Sequence, residues 1–555
     1  MASEMIELLE NDENTRIQLR NMTQGNALLE IAGAGELFHD ERKEAWIRIR
    51  EGENMRSFAI LGEGFSNWIM SRYQALSEKT ILPAAVDRAA RVLAARAMYH
   101  SPQYVLYNRG ALRAKSGNEP AAGAPAEISN PAAQVMALPD PGLPELWLDL
   151  ADGSGRAVRV GAQGWELVRQ PPPLFRQYPH QQPLPVPVSG DIGELFAFLP
   201  EMPEWKQDLL LAWLTMAVYP FRPCPLLCLY GAQGAAKTTM ARLLRELIDP
   251  SSADNFDFHL QFAHLPEILD HHALPVFDNV GALNKAQVNL LCRAVTGGSW
   301  SKRKLYSDSE DIVFRFRRPI LLTALEIPSL APDWLERCLL LPLDALSAGW
   351  RREEQELWAG FQAAQARLLG GLLDLVSRAM RAWPQVRLPQ LPRMADFTRW
   401  GTAVMLARNK PAEYFSGLLA DNQMRQSQEI AGSDPFAEAV ILYIQAAGKF
   451  HDSPAMLLHQ LARRYGRKNR AWPRSPNWVT RRLAELQLVL ADHGIQFRSL
   501  RGHSSRTVEL IYAANADSAD AANESAPHPS ETAAAASPAA KELHDTIAEL
   551  LRSLT

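Results

Sequence analysis

Leu226-Leu-Cys-Leu-Tyr230-Gly231-Ala-Gln-Gly234-Ala235-Ala236-Lys237-Thr238-Thr239-Met240 is the stretch whose reading decides the fold. Five apolar residues predict a short buried strand, the small residues after it a tight loop, and Met240 to Ile248 a helix. Strand, loop and helix in that order are the setting a phosphate loop requires. Backbone amides between Gly231 and Thr239 would turn inward onto phosphate oxygens at the helix N-terminus. Lys237 would reach the β- and γ-phosphates, and the Thr238 hydroxyl would ligate magnesium. Ala236 stands where the pattern G-x-x-x-x-G-K-[ST] has its second glycine, and its Cβ restricts positive φ. The competing reading is a Gly/Ala turn between a strand and a helix.

A second apolar strand, Ala273-Leu-Pro-Val-Phe277, ends in Asp278-Asn279. A carboxylate at a strand end is how such ATPases anchor magnesium beside the phosphates, so ATP and Mg2+ are the expected cofactors, with Thr238 and Asp278 on the metal. Asn279 replaces the glutamate expected to polarise the attacking water. Either Asn279 positions that water or Glu267 supplies the base; Glu267 also reads as a solvated helix-face residue. Arg315 to Thr323 reads as one strand with a polar end, which makes Thr323 either a sensor of the γ-phosphate or an ordinary strand-end hydroxyl. Arg337, between Pro332-Asp-Trp-Leu-Glu336 and an apolar run, is either an arginine finger for a neighbouring subunit or the partner of Asp333 or Glu336.

Around this centre, 555 residues suggest three or four units at about 100 to 200 residues each. Residues 1–189 read as an α+β accessory domain with a helix from Pro83 to Met98. Pro, Ala and Gly in 116–145 predict an insertion without order. Trp147 to Leu150, Ala157 to Gly161 and Gly164 to Val168 look like short strands before a Pro-rich connector, Gln170 to Val188. A connecting helix is expected from Gly190 to Tyr219, the ATPase core over 221–348, a helical lid over 349–432, a basic module over 433–512, and a low-complexity tail over 513–555. The net charge of −4 gives no global pull toward nucleic acid, so basic surfaces have to be local. Cys224, Cys228, Cys292 and Cys338 are scattered without a metal-ligand pattern and read as reduced core residues. The greasiest run, Leu209 to Val218, is short of the about 20 residues a membrane span needs, so no membrane partner and a cytoplasmic location are expected.

The phosphate loop, the Asp278-Asn279 strand end, Thr296-Gly-Gly-Ser299, Lys302-Arg-Lys-Leu-Tyr306, Arg318-Pro-Ile-Leu-Leu322 and a trailing two-helix, two-strand region together resemble bacterial and phage ATPases related to superfamily three helicases, the poxvirus-type primase-helicase group among them. No primase-type acidic pair is evident in the N-terminal region. The resemblance covers about Gly190 to Tyr512. It implies an α/β P-loop AAA+ core with a helical lid and a C-terminal winged-helix-like domain. It further implies a homo-oligomeric ring, usually a hexamer, moving on DNA. It also implies that Ser299 to Phe316 forms a hairpin into the ring's pore, with Lys302, Arg303 and Lys304 on its first arm. Ala236, Asn279 and Thr323 depart from the family pattern, which tends to have Asn at the last position.

In the basic module, Ser453 to Arg464 reads as one helix and Pro476 to Asp492 as a second. Ile495 to Leu500 and Thr507 to Tyr512 read as a two-stranded wing. Arginines crowd this stretch, Arg481, Arg482, Arg498, Arg501 and Arg506 among them, and Trp472 and Trp478 interleave. That is the footprint of phosphate-backbone contact; a solvated helical face is the plain alternative. The expected function is an ATP-dependent DNA helicase or translocase serving replication of a mobile element, phage or plasmid. The alternatives are a DNA-bound ATPase switch or remodeller in defence or transposition, and a protein that binds ATP without turning it over.

Overall fold

The computed structural model describes residues 13–52, 54–113, 143–258, 264–303, 311–346, 352–388, 394–466, 472–473, 475–501 and 506–512. Most of the 116–145 insertion, Lys304 and the 513–555 tail lie outside them, as do the side chains of Lys302, Arg303, Arg501 and Arg506. The chain forms two compact units, Met1–Glu429 and Ile430–Thr555.

At the centre of the first unit is a sheet of five parallel strands, ordered Phe256–Asp257, Val276–Asp278, Leu321–Ala324, Leu226–Tyr230, Cys338–Pro342. Every residue of Leu226–Tyr230 and Leu321–Ala324 is buried. Such strands have both faces covered, which is why they read as unbroken apolar runs. Alternation survives in the packing: Leu227, Leu229, Leu339 and Leu341 enter one core, while Leu226, Cys228, Tyr230, Cys338 and Leu340 enter another. All four cysteines are free and buried, as expected.

Proline corrects three expectations. The single strand from Arg315 to Thr323 is two elements, because Asp311–Phe316 pairs with Gly298–Arg303 as an antiparallel hairpin and only Leu321–Ala324 joins the sheet. Pro319 lies at the break, where a residue without an N–H cannot serve a ladder. The strand expected over Ala273 to Phe277 begins only after Pro275, at Val276–Asp278. The helix expected from Gly190 to Tyr219 is a 3-10 turn, Ile192–Ala197, and then a helix, Glu204–Val218, with Pro200 and Pro203 between them.

The N-terminal region contributes two further sheets. Strands Glu36–His39, Ala45–Glu51 and Asn54–Ala59 form an antiparallel sheet, and helices Gln24–Gly33, Glu63–Ser77 and Pro83–His100 share a core with it. Gly110–Arg113, Glu145–Asp149, Ala157–Gly161 and Gly164–Val168 make a four-stranded antiparallel sheet. Its Leu146, Leu148, Val158 and Val160 lie in the same core as helices Glu204–Val218 and Glu354–Ala382. The Pro-rich connector is docked on the second of those helices: the Val188 N–H donates to the Ala366 carbonyl at 3.1 Å. A Cβ at Gly370 would fall 1.8 Å from the Val188 carbonyl oxygen, so this crossing requires glycine.

In the second unit, helix Pro435–Ala447 is followed by strand Lys449–Asp452, helix Pro454–Tyr465, helices Pro476–Glu485 and Gln487–Asp492, and the hairpin Ile495–Arg501 with Arg506–Tyr512. Asp434, Ser453 and Ser475 cap the three helices that open on proline. The helix expected from Pro476 to Asp492 is interrupted at Leu486, whose ψ of 3° is not helical. Lys449–Asp452 was not anticipated; it makes the wing a three-stranded sheet by pairing with Arg506–Tyr512.

Candidate nucleotide site

The loop after Leu226–Tyr230 enters helix Lys237–Ile248 through three residues of positive φ. Gly231 has φ 143°, and a Cβ there would meet the Leu343 carbonyl oxygen at 2.2 Å, so the loop starts against the chain leaving the neighbouring strand. Gly234 has φ 82°. Ala236 has φ 54° and ψ 27°, the left-handed geometry glycine adopts without penalty. Alanine holds that turn at a cost of about 1–2 kcal/mol. The substitution for glycine is therefore accommodated, and the loop keeps its path.

The Lys237 ammonium folds back over this loop and donates to the Gly231 and Ala232 carbonyls, both at 2.8 Å. Burial holds it below the ordinary lysine range, and Asp278 pulls the other way. Thr238 Oγ1 donates to Asp278 Oδ1 at 2.8 Å and lies 3.1 Å from Oδ2. The Thr323 hydroxyl, almost wholly buried, also bonds Asp278 Oδ1. Its oxygen accepts the Asn279 backbone N–H at 2.8 Å. Three strand or loop ends thus converge on one carboxylate, at the C-terminal edge of a parallel sheet, where open α/β sheets bind their ligands.

The donor set fits a magnesium nucleotide. Thr238 and Asp278 offer hard oxygens within one ion's reach of each other, as a magnesium site sharing its sphere with phosphates and water requires. Asn279 sits at φ 51°. Left-handed backbone is tolerated by asparagine far better than by glutamate, so conformation accounts for the missing glutamate at this position. Glu267 lies in the first turn of the short helix Leu265–His271 and is half-buried.

Arg337 is engaged within its own turn: its guanidinium donates to Asp333 Oδ1 at 2.7 Å. The ion-pair alternative weighed for it is formed in this structure. In the second unit the basic residues divide. Arg482 is held by Asp434, the cap of helix Pro435–Ala447, and by Glu485 at 2.9 Å. Arg481 is largely exposed and pairs with Glu485 at 3.1 Å; Arg498 is exposed. Trp472 is buried edge-on against Phe436, a core residue and not a stacking platform, whereas Trp478 is half-buried.

A buried ion pair that sequence reasoning missed stands behind the site. Arg109, between two N-terminal strands, donates through Nε to Asp249 Oδ1 at 3.1 Å, and both side chains are shielded from solvent. A separation of 140 positions hides the pair from any local pattern; the signal is only that Asp249 ends helix Lys237–Ile248.

Residues 201–413 match the family model of the actinomycete integrative conjugative element replication protein, and 436–526 match the C-terminal domain of the same family. Over these two regions the chain is similar to that replication-protein family. No curated protein matches it. Among solved structures, the apo NrS-1 C-terminal region aligns with 88% of this chain and 98% of its own at 10% identity and a TM-score of 0.38. The JCV helicase aligns with 42% of this chain and 63% of its own at 14% identity and a TM-score of 0.19. Both superpositions are loose and decide nothing about the site. No helix among the described residues is long and apolar enough to cross a membrane.

Proposed function

We propose that this protein serves replication of a conjugative element as an ATP-driven DNA helicase or translocase that works as a homo-oligomeric ring, the hexamer being the expected form. The observation that carries the reading is the meeting of Thr238, Asp278 and Thr323 beside Lys237 at the edge of a parallel sheet. Lys237 would leave the loop carbonyls for the β- and γ-phosphates, and amides of Gly231 to Thr239 would cradle them. Thr238 and Asp278 would hold magnesium, which when bound neutralises charge developing on the phosphates. Thr323, buried and already oriented by the Asn279 N–H, would report on the γ-phosphate through its bond to Asp278.

DNA is assigned to two surfaces. The antiparallel hairpin Gly298–Arg303 with Asp311–Phe316 carries Lys302 and Arg303 on its first arm, with Lys304 following, and would contact DNA in the ring's pore. The winged-helix-like second unit would dock on duplex through Arg481, Arg498, Arg501 and Arg506. Asn279 and the Arg337–Asp333 pair favour a second reading, a DNA-bound ATPase switch or remodeller that unwinds nothing. DNA-stimulated ATP hydrolysis together with strand displacement on a forked duplex is expected of the first reading. Replacing Lys302, Arg303 and Lys304 with Ala should abolish displacement while duplex binding persists. Hydrolysis without displacement in the unaltered protein would select the switch, and full displacement by the triple variant would remove the pore assignment.

A further inference from the structure

Helix Lys237–Ile248 and the segment Ala273 to Asp278 are tied together at both ends. At one end is the Thr238–Asp278 hydrogen bond, between the two residues assigned to magnesium. At the other, Asp249 Oδ2 accepts the backbone N–H groups of Ala273 at 2.8 Å and Leu274 at 2.9 Å. Asp249 follows the helix directly, with its own N–H on the Arg245 carbonyl. Its side chain is 2% exposed, and burying a charged group is costly unless it is paired and hydrogen-bonded. Arg245 faces it electrostatically, but that guanidinium donates to the Asp254 carbonyl and is 2.9 Å from His272 Nδ1. The ion pair comes from Arg109, itself 1% exposed, which also donates to the Gln182 carbonyl at 3.0 Å and the Pro250 carbonyl at 3.1 Å. Arg109 therefore binds the carboxylate, the connector and the residue after Asp249 with one planar fork, a geometry lysine cannot reproduce.

We propose that Arg109 is a positioning residue of the nucleotide site: by fixing Asp249 it sets the spacing of Thr238 and Asp278, so the N-terminal region completes the magnesium site without touching it. This rests on the nucleotide reading above. Outer-sphere partners of metal ligands typically govern affinity by about 10- to 100-fold, and this one acts a further step back, through two backbone elements. A shift near the lower figure is expected.

The test uses the full chain and a fluorescent ADP analogue, bound first with EDTA and then with rising Mg2+. In Arg109→Lys and Arg109→Ala the Mg2+ concentration giving half of the magnesium-dependent gain should rise about tenfold, while affinity in EDTA stays at the unaltered level. Should Arg109→Ala fail to fold by circular dichroism, Arg109→Lys decides. An unshifted Mg2+ midpoint in a folded variant overturns the proposal, and so does an equal loss of affinity with and without Mg2+, which would mark a merely structural role. If the unaltered protein gains no affinity from Mg2+, the nucleotide reading falls and takes this inference with it; if it does gain and the variants match it, only Arg109 is acquitted.

Discussion

The candidate nucleotide site and the arginine-rich second unit are both dense in polar and charged side chains, but they are built in opposite ways. Thr238 and Thr323 lie 40 and 45 residues from Asp278 in sequence and meet on its carboxylate. Arg481 and Arg482 are adjacent and part company: the side chain of the first is 76% exposed, while the second holds Asp434 and is 21% exposed. Parallel strands deliver their C-terminal ends to one edge, so a polar residue ending each strand has to arrive there. Residues on successive helix positions point about 100° apart, so a run of like residues cannot all serve one surface. A motif defined by spacing on rigid elements therefore transmits into geometry, and a compositional excess does not.

The first way to break this contrast is at its convergent side. Lys237→Ala removes the charge assigned to the β- and γ-phosphates and should lower ATP hydrolysis by at least about 100-fold, the scale on which single electrostatic contacts to a transition state act. Near-normal turnover in folded protein would mean the convergence has another purpose. The contrast sharpens with a smaller effect on the divergent side. Arg482→Ala deprives the Asp434 cap of its partner and should destabilise the second unit by about 1–3 kcal/mol in chemical denaturation. Arg481→Ala should leave denaturation unchanged and lower the salt slope of duplex binding by roughly one unit. Equal behaviour of the two variants would erase the division between them.

The same physics marks what was legible in the sequence. The strand at Leu226–Tyr230, the loop after it and the strand end at Asp278 could be read because apolar runs and turn residues encode them locally, whereas the hairpin followed from the family resemblance alone. Pro319 and the Pro200/Pro203 pair were visible too, yet their power to divide one element into two was underestimated. Lys449–Asp452 carries one buried residue in four and owes its strand form to the ladder with Arg506–Tyr512, a tertiary cause. Asn279 looked like a defect of the site, whereas its φ of 51° gives the backbone its own reason for that residue. Arg109 was beyond reach altogether: nothing local distinguishes it from a surface arginine until the fold buries Asp249 beside it.

The central claim is that Thr238 and Asp278 form a magnesium nucleotide site, and calorimetric titration of ATP into the unaltered chain and into Asp278→Ala, each with and without Mg2+, tests it most directly. The account predicts that Mg2+ tightens ATP binding to the unaltered chain and adds little to binding by Asp278→Ala. Equal Mg2+ dependence in the two proteins would contradict it.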